Sequence, residues 1–348
     1  MTSLTKNIFK YSITLILSAL LMWYALRDQN IQLVWEKIKE AKITWVLTGI
    51  LLNLISHLSR ARRWNLLMEP LGVQPKLHRT FIALMIGYFA NLVIPRMGEV
   101  TRCAVLKRTD NVPVDKAFGT VVAERVFDFI CLLSLIGLSL ILEFDRFSGF
   151  LYEKVLNKEA SGAEAGITST PLFYAAVVLA AGLAICVVCW NKIKSISIVE
   201  KLTTFAVNFL KGLLEGFLSV RKLSKRKEFI FHTLFIWFCY YLMTYVVFFA
   251  IDATALLSPI AGLVILVIGG LGMSAPVQGG IGAFHKLVTA ALEGFYSVNK
   301  EDGMAFSFVI HGSQTMMVIL VGGLCFITAF LISRKVKTND IGKNPNLG

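Results

Sequence analysis

Charge is scarce in this chain. Asp, Glu, Lys and Arg make up 16% of its 348 residues, while 56% are hydrophobic; a soluble protein of that length cannot bury so much apolar surface in a core. Long polar stretches occur only as loops, and none of them resembles a nucleotide-binding or acyltransferase fold. No glycine-rich loop ends in Gly-Lys-Ser/Thr, which removes a P-loop for ATP. No Ser-His-Asp arrangement is local and no His/Glu cluster has zinc spacing, so neither a hydrolase triad nor a metal centre is expected, nor any cofactor. Cysteine is sparse too, with six in all. Cys186 and Cys189 form a C-x-x-C, but AICVVCW offers no polar neighbour to activate a thiol, and they read as small packing residues. The N-terminal apolar run lacks a small-residue cleavage site, and MWYALRD has the look of an interfacial belt, so the run reads as a first transmembrane helix and not as a signal peptide.

What the chain does have is a mean hydropathy of +0.68 and recurrent runs of about 20 apolar residues, the length that crosses roughly 30 Å of hydrocarbon. Spans are expected over 8–26, 43–59, 118–142, 172–190, 229–251, 256–275 and 304–332. Two shorter, broken segments, 81–95 and 280–297, decide the architecture. The net charge of +13 would suggest nucleic acid in a soluble protein; here it reads as Lys- and Arg-rich cytoplasmic loops, with no nucleic-acid partner. The loops at 60–79 and 96–117 are both basic and so fall on one side, which makes 81–95 a re-entrant hairpin. Such broken backbone is tolerated at membrane depth only when packed in protein or lining a wet cavity. Residues 143–171 are acidic and external; 191–228 are basic, cytoplasmic, and include an amphipathic stretch with Leu202, Phe205, Phe209, Leu213 and Phe217 on one face. The expected fold is therefore an all-α polytopic membrane protein. It has about eight transmembrane helices, one re-entrant hairpin at 81–95 and a broken half-helix region at 276–297, with both termini cytoplasmic. A single domain covers 1–332, and 333–348 form a short basic tail.

Three constellations could carry chemistry. In NLVIPRMGEVTR, Pro95 ends an incoming helix because it has no N–H to donate. Gly98 lets the chain turn, and Glu99 and Arg102 share a face if a helix restarts there. Asn91 precedes the turn and Arg96 sits in it, where a guanidinium fork matches a phosphate or carboxylate; a charged interfacial turn that only snorkels is the plainer reading. The second is GTVVAERVFDF, on a helix that begins near Pro113. Asp128 lies roughly 22 Å along it at about 1.5 Å per residue. Glu124 and Asp128 share a face, Arg125 reaches Asp128, and the acids can pair with Arg96 or Arg102. Ionisable residues buried in a membrane are functional candidates by default, with a structural salt bridge as the alternative. The third is PVQGGIGAFHK, where Gly279, Gly280 and Gly282 open a helix followed at once by His285 and Lys286. Exposed backbone N–H groups and the helix dipole suit an anion there, and close packing through glycine is the competing reading. His57 with Arg60, and His311 with Gln314, are secondary candidates.

At these residues the sequence resembles the lysylphosphatidylglycerol synthetase transmembrane region, a flippase-like integral-membrane family also called UPF0104. The marks are a turn with Asn, Pro and Gly-Glu in order (Asn91, Pro95, Arg96, Gly98, Glu99, Arg102), a Glu-Arg-x-x-Asp helix (Glu124, Arg125, Asp128) and a Pro-x-x-Gly-Gly-x-Gly turn (Pro276, Gly279, Gly280, Gly282). The resemblance covers about residues 10–332. It implies flipping of aminoacylated phosphatidylglycerol between leaflets, with a separate soluble domain attaching the amino acid. Only a short tail follows residue 332 here, so the expectation is transport without synthesis. Where many relatives carry a Glu after the glycine turn, this chain has AFHK.

These readings lead to one expectation. The chain moves an anionic or aminoacylated phospholipid, or another lipid-linked headgroup, across a bacterial inner membrane; its partners are that lipid and the membrane, and a homo-oligomer is left open. The rival expectations are an integral-membrane transferase using Glu124 or Asp128 as base, and an accessory protein whose charges are structural.

Overall fold

A computed structural model describes residues 3–151 and 223–343, with side chains over 14–148 and 223–332. Among the described residues there are eleven α-helices, three short 3-10 turns and no strand. The cysteine pair Cys186/Cys189, the 172–190 span and the amphipathic stretch at 197–223 lie outside them, apart from its last residue, Leu223.

The helices are α1 (Ser3–Leu26), α2 (Ile31–Lys39), α3 (Ile43–Met68), α4 (Leu77–Val93), α5 (Gly98–Asp110), α6 (Val114–Leu142), α7 (Phe144–Leu151), α8 (Arg226–Phe248), α9 (Pro259–Met273), α10 (Ala283–Tyr296) and α11 (Lys300–Lys343). The chain divides into two compact units, 1–142 with 220–348, and 143–219. Of the second unit only α7 is described, together with an ion pair between Arg146 and Glu143 at 2.8 Å.

Among the described residues, three helices are long and apolar enough to cross a membrane by themselves: α6, α8 and Lys300–Ile332 of α11. A fourth span results if α2 and the helix after it, bent by 81°, count as one; Thr14–Leu26, α4 and α9 are shorter apolar helices. The eight spans expected from the sequence are not confirmed by these residues, and the expected span at 172–190 lies outside them. Their outer faces suit lipid. Leu133, Leu138 and Ile141 on α6, Phe231, Leu234 and Phe238 on α8, and Leu320, Leu324 and Ile327 on α11 are all exposed, an apolar surface that water would not tolerate over such an area. Inside, one core gathers Phe248, Ile265, Val288, Leu292 and Phe306. A second holds Trp64, Met68, Cys103, Leu106 and Val121 between α3, α5 and α6. A third joins Met85 and Ile86 of α4 to Met317 and Cys325 of α11.

Two expectations about boundaries change. The re-entrant hairpin does not lie within 81–95: Gly87 and Asn91 leave α4 unbroken, and the turn falls at 94–97, so the limbs are α4 and α5. The stretch from 60 to 68 is not loop. Helix α3 continues to Met68 and carries Arg60 and Arg63 into the interior, where they are 3% and 0% exposed. Their charge is met by acids on α6 and not by water.

Candidate functional site

The first turn joins α4 to α5 over residues 94–97. Helix α4 ends at Ile94, held extended (φ −130°, ψ 115°) as the residue before a proline prefers. Arg96 then takes a left-handed conformation, φ 63°, which costs a non-glycine residue roughly 1–2 kcal/mol. Asn91 reaches back over the turn, and its Oδ1 accepts the Gly98 N–H at 2.6 Å, satisfying one of the free donors at the start of α5. A Cβ on Gly87 would lie 2.8 Å from the Gly98 carbonyl oxygen. The two limbs therefore touch backbone to backbone, with glycine required at the contact.

Behind this turn the charges separate into two groups. Glu124, fully buried, is met by Arg60 Nη1 at 3.4 Å, Arg63 Nη2 at 3.1 Å and Arg102 Nη2 at 2.8 Å. Asp128 is met by the same Arg60 at 3.2 Å and Arg63 at 2.8 Å. Aromatic faces line the guanidinium groups: Arg102 lies 4.5 Å from the Trp64 ring centre and Arg60 5.8 Å from that of Tyr240, a favourable setting for a desolvated cation. The sharing of Glu124 and Asp128 by three helices, α3, α5 and α6, ties the hairpin to the bundle.

The second group faces outward. Arg125 Nη2 donates to Glu99 Oε1 at 2.7 Å and lies 3.9 Å from Asp128. Arg96 is exposed and has no ion pair among the described residues. Of the pairings expected for Glu124 and Asp128, then, Arg102 makes one and Arg96 makes none.

The glycine turn divides as well. Gly279, Gly280 and Gly282 all have positive φ, at 54°, 75° and 82°. His311 Nε2 donates to the Gly279 carbonyl at 2.8 Å, which fixes that turn to α11. His285 is buried, packs edge-on to His311 at 4.9 Å, and its Nδ1 accepts the Gly282 N–H at 3.4 Å; the start of α10 is thus capped by the chain itself. Lys286 turns away to lie 4.8 Å from the Tyr24 ring centre on α1. The Gln278 side chain sits between the hydroxyls of Ser18, 2.6 Å, and Thr14, 3.2 Å.

Between the two turns lies a cavity of about 550 Å³, within the usual size of ligand pockets. From the hairpin it takes Asn91, Pro95, Arg96 and Glu99; from α6, Arg125; from the glycine turn, Pro276, Gly279 and Gly280; and from α3 and α11, His57, His311 and Gln314. Arg60, Gly98, Arg102, Glu124, Asp128, Gly282, His285 and Lys286 do not line it. Asn53 and Tyr88 do, and neither was singled out from the sequence. The signal for Asn53 was present: Asn53, His57, Arg60 and Arg63 follow at helical spacing along one face of an otherwise apolar helix.

A family model described as the lysylphosphatidylglycerol synthase TM region matches residues 11–322. The chain belongs to that family. Every candidate residue, from His57 to Gln314, lies inside the stretch that matches the lysylphosphatidylglycerol synthase TM region. Relatives include a UPF0104 membrane protein of Methanocaldococcus jannaschii, 26% identical over 125 residues, 35% of this chain and 37% of that one. A UPF0104 membrane protein of Pyrococcus horikoshii is 30% identical over 122 residues, 34% of this chain and 35% of that one. The matched segments thus span little more than a third of these relatives. Glycosyltransferase AglD of Haloferax volcanii is 30% identical over 97 residues, 28% of this chain and 16% of that one. No solved structure matches the chain.

Proposed function

We propose that this multi-pass membrane protein is a lipid translocator: it takes the headgroup of an anionic or aminoacylated phospholipid, or another lipid-linked phosphate, into the cavity between its two interrupted turns while the acyl chains stay in lipid. The membrane domain is 1–332, with its termini on the cytoplasmic side, as the loop charges indicate. The observation that carries the reading is Arg96, an exposed guanidinium with no ion pair among the described residues, held by a strained turn against a cavity edge. Strain of this kind is kept where function requires a residue's direction, and a guanidinium fork suits a phosphate. The surrounding charge agrees: Arg60, Arg63, Arg102 and Arg125 meet only Glu99, Glu124 and Asp128, leaving an excess of positive charge even before Arg96 is counted.

A transferase acting on a lipid-linked substrate is the second reading, favoured by the partial similarity to a protein named a glycosyltransferase. It needs a free base. Glu124 and Asp128 are each already paired with at least two guanidinium groups and Glu99 with Arg125, so none of the three stands unpaired as a base.

Reconstitution tests the proposal. Protein is placed in vesicles with fluorescent phospholipids of several headgroups, and outer-leaflet dye is reduced chemically. Wild type exposes inner-leaflet lipid faster than empty vesicles, and Arg96→Gln falls to the empty-vesicle rate with an unchanged thermal midpoint, because Arg96 makes no ion pair among the described residues. Equal rates for both proteins reject the site. A mass change in a lipid-linked substrate on incubation supports the transferase instead.

A further inference from the structure

The two walls of the cavity differ in chemistry. On one side stand Arg96 and Arg125, with Glu99 the lone acid of the lining and its Oε1 already bonded to Arg125 at 2.7 Å. On the other side α3 and α11 contribute the uncharged amides of Asn53 and Gln314 and the imidazole of His57. Asn53 Nδ2 donates to Gln314 Oε1, and Asn53 Oδ1 accepts from Ser56. That leaves Gln314 Nε2 and His57 Nδ1 buried without a hydrogen-bond partner, in a histidine that is only 5% exposed. Buried polar atoms left unpaired cost free energy that a ligand's oxygen can recover. An amide N–H offers a donor, and an imidazole nitrogen donates or accepts according to tautomer. A hydroxyl group can answer both. Glu99 Oε2 also has no hydrogen-bond partner, but Glu99 is already paired with Arg125 and faces two guanidinium groups in the lining, so an ammonium group would enter against a net positive charge.

We propose that the ligand of this cavity is a lipid-borne phosphodiester whose headgroup carries uncharged hydroxyls, with the phosphate at Arg96 and the hydroxyls on the Asn53–His57–Gln314 wall, and that cationic, aminoacylated headgroups are excluded. The inference rests on the headgroup-site reading above and narrows it.

The test is lipid binding to the full chain in detergent micelles. Phosphatidylmethanol supplies the charge without hydroxyls, phosphatidylglycerol and phosphatidylinositol add hydroxyls, lysylphosphatidylglycerol adds positive charge, and glycerol 3-phosphate is the free headgroup. Phosphatidylinositol and phosphatidylglycerol bind about tenfold more tightly than phosphatidylmethanol, the value of roughly one good hydrogen bond. Gln314→Leu removes that gain and leaves phosphatidylmethanol binding unchanged; Gln314→Glu, a second variant of nearly the same shape, shifts preference toward lysylphosphatidylglycerol. Arg96→Gln weakens the three anionic lipids alike. Binding of lysylphosphatidylglycerol to wild type as tight as that of phosphatidylglycerol overturns the proposal, and so does a hydroxyl gain that survives Gln314→Leu. Competition by glycerol 3-phosphate at the concentration of the lipid overturns the lipid-borne part. Phosphatidylmethanol binding insensitive to Arg96 rejects the underlying anion site, separately from the hydroxyl wall.

Discussion

Glu124→Gln destabilises the protein by about 3–5 kcal/mol, the usual result of removing one partner from a buried charge cluster. The substitution keeps shape and takes away only charge. In the wild type, Glu124 is fully buried and its two oxygens receive Arg60, Arg63 and Arg102 at 2.8–3.4 Å. Without it Arg60 and Arg63 keep Asp128, which Arg125 also approaches at 3.9 Å, while Arg102 has no ion pair with Asp128. Arg102 is left buried at 2% exposure with no counter-charge. A loss of that size is a large part of the 5–15 kcal/mol that holds a typical domain. It is read as a lower thermal midpoint in detergent and a smaller yield of monodisperse protein. Adding Arg102→Gln to Glu124→Gln restores part of the loss, since the orphaned charge is then gone, and the non-additivity measures the pair. A Glu124→Gln protein as stable as wild type would mean that the cluster does not hold the hairpin, and its acids would return as candidates for proton or substrate chemistry.

This cluster also explains which parts of the structure the sequence could reveal. The membrane setting follows from composition, because apolar runs of span length have no other stable solvent. The two turns were visible from Pro95, Gly98, Pro276 and the three glycines, since these residues have few backbone roles. Arg60, Arg62 and Arg63 were misread as loop charges for a physical reason: a basic run after an apolar segment usually marks a span's end, and nothing local announces that two of the three find acids more than 60 positions later on α6. Partner choice had the same limit. Glu124 and Asp128 were recognisable as buried acids, but which arginine meets which depends on how α3 and α5 pack against α6. The lining also cuts across the motifs. His285 and Lys286 stand beside the glycine turn in sequence, yet one caps α10 and the other faces Tyr24 on α1. Asn53 and Tyr88 sit inside apolar stretches and still reach the cavity.

Gly98→Ala is expected to open the hairpin. A Cβ there falls onto the Gly87 carbonyl oxygen and within 2.6 Å of Asn91 Nδ2. The carbonyl is helix backbone and cannot swing aside as a flexible side chain would, so α4 and α5 must separate. Overpacking of this kind usually costs about 1–3 kcal/mol, occasionally more. Separation also breaks the 2.6 Å bond from the Gly98 N–H to Asn91 and pulls Arg102 from Glu124. Arg96 and Glu99 move with the turn, so lipid exposure in vesicles falls to the empty-vesicle rate together with the drop in thermal midpoint. Gly119→Ala is the control. It lies in α6, a Cβ there meets nothing within 4 Å, and helix propensity alone makes the change neutral or stabilising by up to about 1 kcal/mol. If Gly98→Ala melts with wild type and moves lipid at the wild-type rate, the limbs are not packed as tightly as the backbone contact requires, and Arg96 owes its position to something other than the hairpin.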